Sequence, residues 1–573
     1  MLRFCSVTLL LSASFALAGD PYEVTIERGV EMKTRDGVTL RADIYRPKGE
    51  GKFPVLLERT PYNKGSGDSG FGRHAAAIGY VVILQDVRGR FTSDGEWYTF
   101  KHESDDGYDT VEWAAALPYS NGKVGMFGGS YVGATQMLAA IAHPPHLAGV
   151  FPVVTASNYH DGWTYQGGAF EQWFNESWTS GLTEDTLNRR VHGSHNALNW
   201  VWKLPLTEYP FFEAPSPASL APYFADWLRH PDFDDYWRRW SIEDHYDDFK
   251  VPAYSVGGWY DIFQGGTIRN YVGLKSRVPG QRLMIGPWYH GPFNGKAGDI
   301  DFGASAKGDT DADQLRWYDH LLRGIDNGEA RNKPVKIFVM GKNVWRDEDD
   351  WPPARARSTY YYLRSGGSAN TRTGDGTLST SAPADERADR YTYDPAHPVP
   401  TRGGGLCCDN DHLPSGAFDQ RTVEERPDVL VYTTPAFSGD FEVTGPIAAE
   451  LYVASSAVDT DFTAKLVDVW PNGFAQNLTD GILRARYRHS HAHPDPLKPG
   501  EVYKIRIDMW NTSNVFLAGH KLRVEISSSN FPRFDRNLNT GESAGVPGNM
   551  VKADNTIYHD ARHASALILP VVP

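Results

Sequence analysis

From residue 54 to residue 154 the chain alternates short apolar runs with helix-forming stretches, and this rhythm leaves few folds open. Pro54-Val55-Leu56-Leu57 and Tyr80-Val81-Val82-Ile83-Leu84 are apolar throughout, as strands buried on both faces must be. Residues 105–117 have the spacing of an amphipathic helix, 123–127 read as a further strand, 131–142 are rich in helix formers, and 147–154 return to strand. Ala253-Tyr254-Ser255-Val256 and Arg282-Leu283-Met284-Ile285 resume the pattern, followed by a helix over about 313–322. Such alternation predicts a parallel sheet covered by helices on both faces. Ahead of it, Gly37-Val38-Thr39-Leu40-Arg41-Ala42-Asp43-Ile44-Tyr45 alternates polar and apolar residues, so 22–46 should form antiparallel strands.

Two stretches break the rhythm. Residues 157–250 are dense in Trp, Tyr, Phe and acidic residues without a clean strand, which suggests an inserted helical cap. Beyond 335 the pattern is mostly β, as in Val335-Lys336-Ile337-Phe338-Val339, Ala449-Glu450-Leu451-Tyr452-Val453 and Lys521-Leu522-Arg523-Val524-Glu525-Ile526, with loops rich in Gly, Pro, Asp and Ser. Short strands so punctuated indicate a sandwich or jelly roll. A chain of 573 residues is too long for one core. The expected division is a sheet domain of 19–156 with 251–330, a cap of 157–250, and a jelly-roll domain of 335–573.

Residues 1–18 read as an export signal: Arg3 precedes an apolar run, and Ala16-Leu17-Ala18 offers the small-x-small pattern of a cleavage site before Gly19. This predicts a secreted or periplasmic protein. No later run of about 18 apolar residues would cross a membrane. A net charge of −14 argues against a nucleic-acid partner and suits neutral or cationic small molecules. After cleavage only the adjacent Cys407 and Cys408 remain, either as a vicinal disulfide or as two reduced thiols, with no catalytic role assigned.

The chemistry centres on Gly128-Gly129-Ser130-Tyr131-Val132-Gly133, which lies between a predicted strand and a predicted helix. A strand–turn–helix junction this tight needs small neighbours and pushes the serine Oγ above the sheet, at a helix N-terminus that favours a developing anion. A serine hydroxyl needs a base, and the base needs an orienting acid. Two loops supply them in the order this arrangement uses: Gly257-Gly258-Trp259-Tyr260-Asp261 after one strand, and Gly286-Pro287-Trp288-Tyr289-His290 after the next. Ser130 is then the nucleophile, His290 the general base and Asp261 the orienting acid. The Tyr131 N–H is the expected first oxyanion donor. From spacing alone, the Tyr62 hydroxyl in Arg59-Thr60-Pro61-Tyr62 is either a second donor or a packed aromatic.

These segments, together with Gln85-Asp86-Val87-Arg88-Gly89, Gly519-His520-Lys521-Leu522-Arg523 and Ser529-Asn530-Phe531-Pro532-Arg533-Phe534, resemble the cocaine esterase family of α/β hydrolases. That family is similar to α-amino-acid ester hydrolases, glutaryl acylases and X-prolyl dipeptidyl peptidases. The resemblance runs from about residue 25 to the end. It implies an α/β-hydrolase domain, a helical cap and a C-terminal jelly roll, with Ser130, Asp261 and His290 as the triad. It also implies Tyr62 and Tyr131 as oxyanion donors, and Trp163, Trp178 and Phe263 around the acyl group. No cofactor is implied, and the substrate is a small-molecule ester or amide.

One departure narrows the substrate. The amino-acid ester hydrolases hold an ammonium with carboxylates just after the triad acid, where this chain has Ile262-Phe263-Gln264; Asp161 or Glu171 in the cap could substitute. Ester cleavage is the favoured reading, with X-Pro dipeptidyl-peptidase-like or glutaryl or α-amino acyl amide hydrolysis as alternatives. His489-x-His491-x-His493 has strand spacing for a metal site, but Pro494-Asp495-Pro496 marks a loop there. A non-catalytic glycan or partner binder would have no use for Ser, Asp and His at three separate loop ends.

Overall fold

The computed structural model describes residues 21–193, 220–542 and 548–573. The expected export segment, residues 1–18, lies outside them, as does the middle of the cap stretch. The first domain is built on a ten-stranded sheet. Its strands are β1 (Val24–Lys33), β2 (Thr39–Pro47), β3 (Phe53–Thr60), β4 (Val81–Asp86), β5 (Ser120–Gly129), β6 (Leu147–Val153), β7 (Tyr254–Gly258), β8 (Arg282–Gly286), β9 (Val335–Val339) and β10 (Val344–Glu348). Their order across the sheet is β1-β2-β4-β3-β5-β6-β7-β8-β9-β10. The β1–β2 hairpin pairs antiparallel to β4, β3 to β9 run parallel, and β10 turns back antiparallel on β9.

Strand residues alternate between two cores, as the pleat requires. Val55, Leu57, Val81, Ile83, Val124 and Met126 pack against α2 (Glu103–Ala115) and α3 (Tyr131–Ile141). Leu56, Val82, Leu84 and Phe127 face α1 (Gly70–Ala77) on the other side. With them pack Leu315, Trp317 and Tyr318 of the last helix of this domain, Thr310–Arg323. This is an α/β-hydrolase sheet covered on both faces.

Between β6 and β7 the chain leaves the sheet and forms α4 (Gln172–Gly193), α5 (Pro222–Arg229) and α6 (Asp235–Arg238), whose Phe174, Trp178, Trp227 and Trp237 join the α2–α3 core. On re-entry it adds α7 (Gln264–Leu274), so that Thr310–Arg323 is α8. Among the described residues no helix is long and apolar enough to cross a membrane.

The C-terminal domain is an eleven-stranded β structure. Its longest pair, Phe441–Ser455 with Tyr503–Phe516, is antiparallel over most of its length. It shares one hydrophobic core with the first domain: Trp259, Ile285 and Ile337 pack in the same cluster as Leu451, Ile507 and Leu522. The boundary differs from the sequence expectation. Residues 335–339, assigned there to the jelly roll, are β9 and pair in parallel with β8, so the first sheet continues to Glu348. An apolar run such as Val-Lys-Ile-Phe-Val suits either sheet, and only the neighbouring strand decides.

Candidate active site

β5 ends at Gly129 and α3 begins at Tyr131, so Ser130 alone turns the chain. It does so at φ 60°, ψ −126°, a conformation that costs a non-glycine residue on the order of 1–3 kcal/mol. The surroundings hold it there. The Ser130 N–H donates to the Val153 carbonyl at 2.9 Å, and its own carbonyl accepts from the N–H groups of Gly133 (2.9 Å) and Ala134 (3.0 Å). The flanking glycines are sterically required. At Gly128, φ is +122° and a Cβ would sit 2.3 Å from Val132 Cγ1; at Gly133 it would sit 2.8 Å from Thr155 Cβ.

β7 and β8 are parallel neighbours with Gly258 opposite Gly286, so the loops carrying Asp261 and His290 start side by side. The Trp259 N–H donates to Gly286 O, and the Tyr260 N–H to Trp288 O, both at 2.9 Å. His290 Nδ1 lies 2.7 Å from Asp261 Oδ1, and the Asp261 side chain is fully buried. A buried carboxylate at that distance makes Nδ1 the protonated nitrogen and leaves Nε2 basic. The His290 ring and Ser130 line the same cleft, which has a volume of about 690 Å³.

Tyr62 lines the same cleft as Ser130. Its hydroxyl accepts from Trp178 Nε1 at 2.9 Å and faces Ser130 and the Tyr131 N–H. Burial raises the phenol above its usual pKa, while these three donors pull it back, so it remains a protonated donor at neutral pH. The Tyr131 N–H, first in α3, has no partner within its helix. A buried network fixes the two segments relative to one another: Arg59 Nη1 donates to Glu103 Oε2 at 2.8 Å, and the Tyr131 hydroxyl donates to Glu103 Oε1 at 3.2 Å. Arg90 ties the Tyr62 loop to the cap, donating to the carbonyls of Pro61 (2.8 Å) and Leu182 (2.9 Å).

Of the three aromatic residues placed around the acyl group by resemblance, Trp178 lines the cleft. Trp163 and Phe263 are fully buried in the layer behind it, stacked with ring centroids 4.4 Å apart. Phe263 also meets the His290 ring edge-on at 5.2 Å. Neither cap carboxylate considered as an ammonium holder reaches the cleft: Asp161 pairs with Arg269 at 2.9 Å, and Glu171 faces Arg533 at 3.7 Å. Asp161 is thereby spent on joining the cap to its support, whereas the Glu171 carboxylate is fully buried without a hydrogen bond and burial pushes it up to about 8, Arg533 being paired with Asp480 at 2.6 Å. The Cys407–Cys408 question is resolved as a vicinal disulfide, with Cys408 on the cleft wall and Cys407 in the aromatic core that holds Trp163 and Phe263. His489, His491 and His493 lie in a turn against the cap, where the His491 carbonyl accepts from the Phe233 N–H and its ring stands 4.0 Å from Asp161.

Sequence reasoning missed Glu58 and Asp311, which line the cleft beside Phe71 and Phe293. For Glu58 a signal existed, a carboxylate directly after the apolar Pro54-Val55-Leu56-Leu57 run and within the same strand. Asp311 gave none, since an acidic residue in a first helical turn is ordinary.

The model of the X-Pro dipeptidyl-peptidase (S15) family matches residues 36–292, and that of the X-Pro dipeptidyl-peptidase C-terminal non-catalytic domain matches residues 327–568. The chain is 39% identical to a cocaine esterase of Rhodococcus sp. (strain MB1 Bresler), over 96% of this chain and 99% of that protein. In structure it is similar to an aminopeptidase of a marine sediment Thaumarchaeota archaeon, with a TM-score of 0.80, 25% identity and 99% of both chains covered. An α-amino acid ester hydrolase shares the fold at a TM-score of 0.78, with 24% identity over 98% of this chain and 100% of its own. The chain belongs to the cocaine esterase family and is a serine ester hydrolase.

Proposed function

We propose that the chain cleaves small carboxylic esters with an uncharged acyl group, by two-step acyl transfer at Ser130. His290 Nε2 takes the Ser130 proton as Oγ attacks the ester carbonyl, and Asp261 stabilises the imidazolium through Nδ1. The tetrahedral oxyanion forms between the Tyr62 hydroxyl and the Tyr131 N–H, each donor contributing about 3 kcal/mol to the transition state. His290 then protonates the leaving alcohol. Water, deprotonated by the same nitrogen, releases the acid and restores the serine.

The observation that carries this reading is the convergence on one cleft of a strained serine elbow, a histidine bound to a buried aspartate, and a tyrosine hydroxyl beside the serine. An uncharged acyl group is favoured because Asp161 is paired with Arg269 and Glu171 is buried in the cap, and neither lines the cleft. We also propose export, with cleavage before Gly19; a disulfide between Cys407 and Cys408 suits an oxidising compartment. Mass analysis of the protein recovered outside the cytoplasm tests it, and an intact Met1 would refute it.

Activity is tested with purified protein and Ser130→Ala on four substrates: an aromatic acyl ester, an α-amino acyl ester, a glutaryl amide and a Gly-Pro anilide. The expected result is preference for the aromatic ester and near-complete loss in the variant. Preference for the Gly-Pro anilide would replace the esterase reading with the dipeptidyl-peptidase one.

A further inference from the structure

Cys407 and Cys408 are neighbours in sequence but face different surroundings. Cys407 is 1% exposed and belongs to the aromatic core of Trp163 and Phe263, whereas Cys408 is exposed and lines the cleft that holds Ser130 and His290. Their disulfide therefore joins the interior to the cavity that substrate enters. A reagent in solution meets the Cys408 sulfur first.

The loop that carries the pair is fastened at its base. Gly404 and Gly416 exchange backbone hydrogen bonds of 2.7 and 2.9 Å, and the Ser415 hydroxyl donates to the Leu406 carbonyl at 2.8 Å. Among the described residues, the backbone groups of Cys407 and Cys408 make no hydrogen bond. Cys408 nevertheless stands at φ +77°, a region that a residue with a Cβ occupies only under constraint. The bond to Cys407, which the core anchors, supplies that constraint.

The same loop lies against the triad. Gly405 packs so closely on the Asp261 loop that a Cβ there would sit 3.1 Å from the Asp261 carbonyl oxygen and 3.4 Å from Ile262 Cα. Cys407 shares its core with Phe263, whose ring meets that of His290 edge-on at 5.2 Å. Opening the S–S bond lets Cys408 leave the left-handed region and loosens Cys407 against Phe263. The support behind Asp261 and His290 loosens with it.

We propose that the Cys407–Cys408 disulfide is a thiol-exchange site on the cleft wall, at which a small thiol opens the bond and lowers the activity of the adjoining triad. The thiolate attacks Cys408 Sγ and forms a mixed disulfide there, while the electron pair of the broken bond leaves with Cys407, which takes up a proton. A second thiolate attacks the sulfur contributed by the first. The two depart joined as a disulfide, and Cys408 is released and protonated. Two thiols are oxidised and the protein disulfide is reduced by two electrons. The enzyme is then fully active only where thiols are scarce. The exchange site stands on its own geometry, and its effect on catalysis rests on the esterase reading above.

Glutathione redox buffers at pH 8 test both parts. After equilibration, free thiols are alkylated with iodoacetamide and located by peptide mass analysis, which separates this pair from Cys5 of the expected export segment. Hydrolysis of an aromatic ester is measured on the same samples. Opening the disulfide should lower kcat/KM about tenfold, because small displacements around a catalytic group are felt strongly. Alkylation and activity should follow one midpoint, and reoxidation should restore both. The Cys407→Ser/Cys408→Ser variant, which cannot form the bond, should show the lower activity at every glutathione ratio. A reduced protein that keeps the parent's kcat/KM overturns the control of activity, as does a loss that accompanies global unfolding in a thermal melt.

Cys407→Ser isolates the exposed sulfur. Folded, this variant should take up glutathione from oxidised glutathione onto Cys408; uptake only after unfolding in urea overturns the exchange site. Uptake by a protein that cleaves no ester, oxidised or reduced, leaves the exchange site standing and refutes the esterase reading. Ester cleavage without uptake does the reverse.

Discussion

Replacing Tyr62 with phenylalanine removes one hydroxyl and leaves the ring in place, so its effect can be divided into two parts. The first is chemical. If the hydroxyl donates to the oxyanion, its loss costs the transition state about 3 kcal/mol, or roughly 10²-fold in kcat. Because the oxyanion exists only after attack, KM should stay within about threefold. The second part is structural. Trp178 Nε1, in a residue only 6% exposed, loses its acceptor 2.9 Å away. An orphaned buried donor costs about 1–3 kcal/mol, visible as a lower melting temperature. Trp178→Phe separates the two: it keeps the hydroxyl but removes the group that orients it, and should lower kcat by only about tenfold. Saturation kinetics on an aromatic ester, with thermal melts of both variants, provide the numbers. A folded Tyr62→Phe enzyme whose kcat is within threefold of the parent would show that the oxyanion is held elsewhere.

Other substitutions test other parts of the site. Asp261→Asn retains the size of a fully buried side chain but lets the amide favour the wrong tautomer of His290, so kcat should fall about 10⁴-fold with the fold intact. A small loss would mean Asp261 does not orient the base. Gly128→Ala forces a Cβ to 2.3 Å from Val132 Cγ1 at φ +122°, and should lower stability by at least about 2 kcal/mol and abolish activity. An unchanged melting curve would contradict the elbow geometry. Glu58 ties stability to pH. Folded, it holds its proton up to about 7, whereas the unfolded chain releases it near 4.5. The unfolded state is therefore favoured increasingly as pH rises between those values, and stability falls. Glu58→Gln should raise the melting temperature at pH 8 and change it little at pH 4; equal shifts at both would refute the assignment.

Much of the site was legible because it depends on local rules. The Gly128–Gly133 segment announces a strand-to-helix turn that excludes side chains, and a serine in such a turn faces outward. Asp261 and His290 each end a loop after a short apolar strand, and parallel pairing of β7 with β8 sets those loops side by side. Tyr62 was ambiguous for an equally physical reason. Spacing could not show that Trp178, more than a hundred residues later in the cap, donates to the Tyr62 hydroxyl on the cleft wall. Asp161 and Glu171 had the right charge to hold an ammonium, but sequence could not show that Arg269 had already engaged the one and that the other is buried away from the cleft.

By itself the sequence determined what periodicity and steric exclusion dictate: the alternating sheet and helices of the first domain, the β character of the last 230 or so residues, the tight turn at Ser130, and the loops that carry Asp261 and His290. Tertiary structure decided what depends on partners remote along the chain. It assigned 335–339 to the first sheet, because a fully apolar strand pairs with whichever edge is nearest. It joined Cys407 to Cys408 and set Cys408 on the cleft wall, although the two belong to the other domain. Among the described residues it also left Glu58 without an ion pair, since pairing is a matter of distance in space, and Lys64, six residues on, turns instead to Asp43.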